Sequence, residues 1–229
     1  MPRPSRRPRV VANFAVTFDG KITTRSNQAT GFTSDADKQR FQEIRAMGDA
    51  VVVGRGTLEA DNMGMGISRD DLRRQRTARG QEEFPVRVVV SQKGTFDPDA
   101  KFFRAEGGPR LLFSGAPISA ELGQRLADVA EVVVHEGGVE IPRMLRTLRE
   151  HHGVKTLVCE GGPTLFRSFL EADALDELYV TLAPRIFGGQ GAPTLTGLPG
   201  SFLHRRRTAR LLSCEEKGSE CFLHYQIVR

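Results

Sequence analysis

"LVCEGGPTLF" (157–166) ends an apolar run on a carboxylate and follows it at once with two glycines and a proline. β-rich residues before Glu160 and a helical pattern over Pro163–Glu171 make this a strand-to-helix turn. Glycines there let the backbone approach a ligand closely, and proline suits the first helical position. Free N–H groups and the helix dipole at Thr164–Phe166 attract a phosphate. A turn with no ligand fits the same letters, because no complete G-x-G-x-x-G is present. Glu160 stands where strand-end side chains reach a site in an open α/β sheet. A solvated strand-end carboxylate is the competing reading.

Upstream, "VVANFAVTF" (10–18) is β-rich and largely apolar, as in a strand covered on both faces. A polar loop, "DGKITTRSNQATG", follows it. Ser34 opens a helix over 35–47, with Asp35 and Asp37 placed to suit its dipole and Phe41, Ile44 and Met47 at helical spacing. "DAVVVG" (49–54) is a second buried strand, and "RGTLEAD" makes a short helical turn. Residues 62–84 are polar, Gly-containing and Arg-rich, which predicts a partly mobile surface excursion. Further strands are expected at 86–91, 110–114, 131–135 and 155–160, with helices over Ser119–Leu126 and Ile141–His151. Downstream lie a strand at 176–184, a Gly-rich loop, and a hairpin of 207–216 and 220–228 turning at Gly218.

Strands alternating with helices through residue 171 imply parallel crossovers, and the helix-free C-terminal run implies an antiparallel addition. The expected architecture is α/β, a mixed, mostly parallel central sheet with helices on both faces and a C-terminal antiparallel hairpin. With no internal repeat or low-complexity linker, one domain over 1–229 is expected, with residues 1–9 as a flexible basic tail.

Composition narrows the function classes. The chain has 229 residues, 39% hydrophobic and 27% charged, which suits an ordinary soluble protein. No stretch approaches the ~18 apolar residues of a membrane span, and no signal core follows the basic start. A cytoplasmic protein is therefore expected. Cys159, Cys214 and Cys221 make no disulfide framework or metal spacing; Cys214 and Cys221 flank the hairpin turn and could face each other, but two unpaired thiols are expected. The net charge of +5 comes with arginine clusters at Arg3/Arg6/Arg7/Arg9, Arg69/Arg73/Arg74/Arg76/Arg79 and Arg205/Arg206/Arg207. These are dispersed and not interleaved with aromatics, so they read as solvated tails and loops rather than a nucleic-acid surface.

Four strand ends are candidates for one site: "TFDGKI", "VGRGT", "VVVS" and "CEGGPT". "VGRGT" is a second potential anion turn in which Thr57 caps the helix, and Asp61, one turn on, can face the same way. The Walker pattern is missing, which argues against a P-loop NTPase. Asp19–Gly20 is a common turn pair. Arg45 is either a snorkelling surface arginine or a fork aimed at a phosphate. None of the five histidines has metal or triad spacing, and no serine elbow appears, which argues against zinc hydrolysis and acyl transfer. Two phosphate-friendly turns on one crevice suit a dinucleotide plus a phosphorylated small substrate.

The order of "NFAVTFDGKI" (13–22), "TSDADKQRFQEIRAMGDAVVVGRGTLEAD" (33–61), "PVRVVVS" (85–91) and "LVCEGGPTLFRSFLEADALDELYVTLAPRIFGG" (157–189) resembles the riboflavin-biosynthesis pyrimidine reductases. These form the reductase half of the bifunctional deaminase–reductase and share the dihydrofolate-reductase-like three-layer fold. The resemblance spans nearly the whole chain. It implies NADPH-dependent reduction of a 5-amino-6-ribosylaminopyrimidine 5′-phosphate, ribosyl becoming ribityl, in a homodimer that uses neither nucleic acid nor membrane. Carried over position by position, it puts Ala15, Gly31, Thr57, Asp61 and Ser91 along the cofactor. Gly162, Pro163, Thr164, Leu165, Phe166, Arg167 and Ser168 would hold its pyrophosphate. Ala29, Arg45 and Glu160 would face the substrate, with Met65 and Arg69 nearby, and Glu160 would orient it for catalysis. No metal is implied.

The chain departs from the family pattern after Asp61. "DNMGMGISR" replaces D-P-x-L-x-x-R and puts Arg69 one residue out of register. A glycine also stands at position 31, where a bulky residue is common. No deaminase zinc motif precedes residue 10, so the expectation is a free-standing reductase. The rivals are an oxidoreductase of the same fold acting on a pterin or another small carbonyl or imine compound, and a non-catalytic nucleotide- or nucleic-acid-binding protein.

Overall fold

The computed structural model describes residues 7–23, 31–197 and 202–228. Its strands are β1 (Arg9–Thr17), β2 (Ala50–Gly54), β3 (Val86–Ser91), β4 (Arg110–Ser114), β5 (Glu131–Val134), β6 (Thr156–Cys159), β7 (Glu177–Ala183), β8 (Thr208–Lys217) and β9 (Glu220–Val228). Its helices are α1 (Asp35–Met47), α2 (Arg55–Asp61), α3 (Asp70–Ala78), α4 (Lys101–Arg104), α5 (Ala120–Leu126), α6 (Ile141–Glu150) and α7 (Pro163–Glu171). All nine strands join one sheet in the order β5-β4-β3-β2-β6-β1-β7-β9-β8. The first seven are parallel, and β9 and β8 add antiparallel to β7.

The valine-rich strands are buried on both sides because the crossovers cover both faces. From β1 the chain steps in one direction through β2, β3, β4 and β5. Ile44 of α1, Leu58 of α2, Phe102 and Phe103 of α4 and Leu126 of α5 all pack on one face, against Val51, Val53, Val89, Leu112 and Val158. After β5 the direction reverses, first to β6 and then to β7. Right-handed crossovers then put the next helices on the opposite face. There Met144, Leu145 and Leu148 of α6 and Leu165, Phe166 and Phe169 of α7 pack on Val10, Ala12, Phe14, Val52 and Leu157. β6 therefore slots between β2 and β1, and the carboxyl ends of these three strands open at the point where the winding reverses.

Local chemistry fixes the ends of α1. Ser34 Oγ accepts from the Asp37 N–H, as expected of an N-cap. The Glu220 carboxylate accepts from Ser34 N at 2.8 Å and from Ser34 Oγ, tying the hairpin to the helix.

Residues 62–84 are not a loose surface excursion. They contain α3, and Met65, Ile67 and Leu72 are buried. Arg76 is only 1% exposed; it donates from Nη1 to the carbonyls of Ala46 and Gly48 and from Nε to those of Glu82 and Glu83. A guanidinium that meets backbone carbonyls can be interior, which composition alone does not reveal. Arg207 likewise grips Leu170 O and Asp173. Arg9 opens β1 and pairs with Glu177, while Arg7 forks onto Asp176, so neither lies in a loose tail. Arg3 and Arg6 lie outside the described residues.

The hairpin register agrees with two unpaired thiols. Cys214 pairs with Leu223 and Cys221 with Glu216, so the two cysteines do not face each other. The short helix α4 had no counterpart in the sequence reading. No described helix is long and apolar enough to cross a membrane.

Candidate active site

A cavity of about 490 Å³ opens at the carboxyl ends of β1, β2 and β6. β1 contributes Asn13, Phe14 and Ala15 to its floor, and Thr57 and Asp61 of α2 form one wall. Asp37 and Phe41 of α1 form another, and the turn Glu160–Leu165 closes its inner end.

That turn is built for close approach. Gly161 adopts φ +122°, a region that excludes most L side chains. A Cβ on Gly162 would stand 2.3 Å from Thr57 Oγ1. The Gly161 carbonyl accepts from Gly54 N at 3.0 Å, which locks the turn onto the start of α2. Gly162 caps α7 without a side-chain acceptor, and Pro163 carries no N–H. The Thr164 and Leu165 amides, in the first turn, have no intrahelical partner and stand at the positive end of the helix. The inner end of the cavity thus has the features of an anion cradle.

Glu160 and Arg45 meet behind it. Arg45 Nε and Nη2 donate to the two Glu160 carboxylate oxygens at 2.6 Å each. Arg45 Nη1 donates to Gly66 O, and the guanidinium sits 4.6 Å over the Phe41 ring. Arg45 is 5% exposed and Glu160 8%. Arg45 is therefore neither a snorkelling surface arginine nor a free phosphate fork. Glu160 is not a solvated carboxylate either. A buried, bidentate pair of this kind fixes the floor of the site rigidly.

Two other carboxyls face the cavity without such a partner. Burial pushes the Asp37 carboxyl above its ordinary range; the Thr181 and Thr33 hydroxyls and Arg40 oppose this, and the negative Glu220 adds to it. Burial likewise pushes Asp61 up. Thr181 stands beside Ala15 across the β1–β7 ladder.

Of the residues singled out from sequence, the cavity brings together Ala15, Thr57, Asp61, Glu160, Gly162, Pro163, Thr164 and Leu165, with Arg45 behind Glu160. It does not bring in the others. Phe166 points into the core, its ring 4.8 Å from that of Phe14, edge to face. Arg167 pairs with Glu171, and Ser168 Oγ donates to Thr164 O. Ser91, at the end of β3, is buried and accepts from Thr95 N. Met65 is buried in the core. Arg69 binds Glu43 and Asp71 at the surface. Gly31 is exposed and away from the lining, and Ala29 lies outside the described residues.

Sequence reasoning missed Asn13, Asp37 and Phe41 as lining residues. The signal was present for two of them. Asp37, Phe41 and Arg45 are spaced i, i+4, i+8 and so share one face of α1. Asp37 had been explained by the helix dipole alone.

Comparison with known proteins identifies the family. The model of the RibD C-terminal domain matches residues 8–222. The 2,5-diamino-6-ribosylamino-4(3H)-pyrimidinone 5′-phosphate reductase of Archaeoglobus fulgidus is 33% identical over 207 residues, covering 90% of this chain and 93% of that protein. The protein of the same name from Methanothermobacter thermautotrophicus is 35% identical over 190 residues, covering 82% and 83%. Among solved structures, a pyrimidine reductase-like protein from Corynebacterium diphtheriae superimposes with a TM-score of 0.82 at 22% identity, covering 97% of this chain and 92% of that one. The match over residues 8–222, with relatives 33% and 35% identical along most of their length, places this chain in the RibD C-terminal domain family.

Proposed function

We propose that this protein is an NADPH-dependent reductase acting on a 5-amino-6-(5-phosphoribosylamino)pyrimidine and converting its ribosyl group to ribityl. The observation that carries the reading is one cavity with an anion cradle at its inner end and carboxyl groups along its walls. The names of the 33% and 35% identical relatives support the substrate class.

The residues fit a dinucleotide diphosphate. The Thr164 and Leu165 amides are unclaimed by the helix, and the absence of Cβ atoms at Gly161 and Gly162 leaves the backbone approachable. Thr57 Oγ1 and the Asp61 carboxyl stand where they would hold the rest of the cofactor, as hydroxyl and acceptor. When bound, a reduced nicotinamide supplies hydride for C1′ of the open-chain imine form of the sugar.

The remaining work is positioning. Asn13 and Ala15 set the floor over which the two ligands would meet, and near-attack geometry requires reacting atoms about 3–3.5 Å apart. Glu160, its side chain almost wholly buried and both its oxygens held by Arg45, acts as a positioning residue that fixes the strand end beneath the substrate and not as a free charge that meets the imine. Water supplies the proton that the imine nitrogen gains. Arg69 stays on the surface and Met65 in the core, so the substrate phosphate is met by other groups.

The enzyme is also proposed to work as a homodimer, because β8 leaves a long exposed edge on the sheet. The functional reading is tested by following NADPH absorbance with purified protein. Oxidation that starts only on adding the ribosylaminopyrimidine phosphate, with the ribityl product formed in equal amount, is the expected outcome. Binding of that compound without NADPH consumption would refute the reading.

A further inference from the structure

The amino ends of β1, β6 and β7 open on a second groove, of about 1040 Å³, at the end of the sheet opposite the candidate active site. Five cations line it but only two carboxylates. Both acids are already engaged. Asp176 takes a fork from Arg7 at 2.7 and 2.8 Å and accepts from Val10 N at 2.8 Å. Glu177 accepts from Arg9 Nε at 2.8 Å and lies 2.8 Å from His224 Nε2. The other three cations, Arg149, Lys155 and Arg210, have no carboxylate in salt-bridge reach among the described residues. Arg149 Nη1 meets only Val154 O, at 3.4 Å, and Arg210 Nη2 donates to Gln226 Oε1 at 2.6 Å. The Lys155 backbone N–H is taken by Asp49, while its side chain stands exposed.

Arg149 suits the negative end of α6, but that reason does not extend to Lys155 or Arg210. The three cations come from α6, β6 and β8 and converge on one concavity, where like charges repel and the potential is focused. An anion relieves that repulsion. Arginine forks match phosphate oxygens, and lysine adds a mobile point charge. A surplus of three cations suits a ligand with more than one phosphate group. Pro8, Ile227 and Val228 add apolar surface, and no aromatic ring lines the groove among the described residues. Bases therefore have nothing to stack on, which favours a compact polyphosphate over a nucleic-acid strand.

We propose that this groove is a second anion site, which takes the diphosphate or triphosphate group of a small molecule between Arg149, Lys155 and Arg210. It is separate from the cradle at 161–165, because β1 and β6 run between the two, with this groove at their amino ends and the cradle at their carboxyl ends. The site stands whether or not the function proposed above holds. An inorganic polyphosphate and a nucleoside triphosphate share the recognised chemistry, and the experiment separates them.

The experiment is calorimetric titration of inorganic tripolyphosphate and of adenosine triphosphate into the full chain, with NADPH present to occupy the cradle. Wild type is compared with Lys155→Glu, Arg210→Glu and the double variant. Both positions are exposed, so the variants are expected to melt close to the parent. Expected is one site per chain, weakened roughly 10-fold by either substitution, lost in the double variant and weakened by added salt. Equal affinity for the two probes assigns the site to phosphate groups alone, and tighter binding of the nucleotide adds a contact of its nucleoside with the apolar surface. No binding by the parent, or binding that the double variant leaves unchanged, would overturn the proposal. So would a mixed-sequence oligonucleotide that binds more tightly than either probe and loses affinity in the same variants. NADPH oxidation is read separately, so its failure would fault the proposed activity and leave this site standing.

Discussion

Gly162 has no room for a side chain, and the obstacle is a single atom. A Cβ there would meet Thr57 Oγ1 at 2.3 Å, while the next contact, Thr57 Cβ, lies at an ordinary 3.7 Å. The backbone at Gly162, with φ −76°, is one that any residue adopts. Gly162→Ala is therefore expected to lose about 1–3 kcal/mol of stability through overpacking. Thr57→Ala/Gly162→Ala is expected to regain most of it, a coupling that denaturant titration of the four proteins would measure. NADPH affinity should stay low in the double variant, because the Thr57 hydroxyl is gone. Additive stability losses would mean that the two residues do not touch. Asp37 makes a second prediction at this scale. Its carboxyl is held up, so the folded chain binds more protons than the unfolded one, and stability falls as pH rises from the unfolded value through the folded one. Asp37→Asn removes that dependence. The melting temperature of the variant minus that of the parent should grow more positive from acid to neutral pH, as read by thermal scans. A constant difference would contradict the shift. The glycines and Glu160 were legible in the sequence because a strand that stops on Glu-Gly-Gly-Pro is unusual punctuation. The Arg45–Glu160 pair was not, because their 115-residue separation leaves no local trace.

The elements around the site owe their positions to buried polar anchors as much as to apolar faces. α3 is the clearest instance, with Arg76 holding four carbonyls from α1, the turn after it and the 82–83 stretch. Arg76→Met would leave these acceptors dry, and about 3 kcal/mol of destabilisation is expected. Arg76→Lys should recover only part of this, because an ammonium cannot span the same fork. Denaturant midpoints compare the three proteins, and an unchanged midpoint in Arg76→Met would show that the anchor carries no weight. The same element explains why 62–84 was misread. Arginine counts as solvent-seeking in any compositional reading, yet Leu72 and Arg76 lie one turn apart and share the buried face of α3. The strands and the other long helices were legible because valine runs, Ser34 and Pro163 announce themselves locally.

The whole molecule is one sheet wound in two directions, and the winding decides where chemistry can occur. Alternating strands and helices already implied a parallel sheet, but not that β6 would insert between β2 and β1. Strand order depends on long-range packing, and that insertion is what brings Thr57, Glu160 and Ala15 to one cavity while leaving Ser91 outside it. At the far edge β8 is exposed along its length, with Leu211 and Leu212 at 49% and 46% exposure. Sedimentation is expected to give twice the chain mass, and Leu212→Glu to give the monomer with little change in unfolding of the isolated chain. A monomeric parent would remove the proposed dimer.

The central claim is that the turn at 161–165 holds the diphosphate of a dinucleotide, and the measurement that bears on it most directly is a crystal structure of the protein with NADPH bound. The diphosphate oxygens should lie within hydrogen-bond reach of the Thr164 and Leu165 amides, with Thr57 alongside. A dinucleotide seated elsewhere, with that turn untouched, would contradict the account.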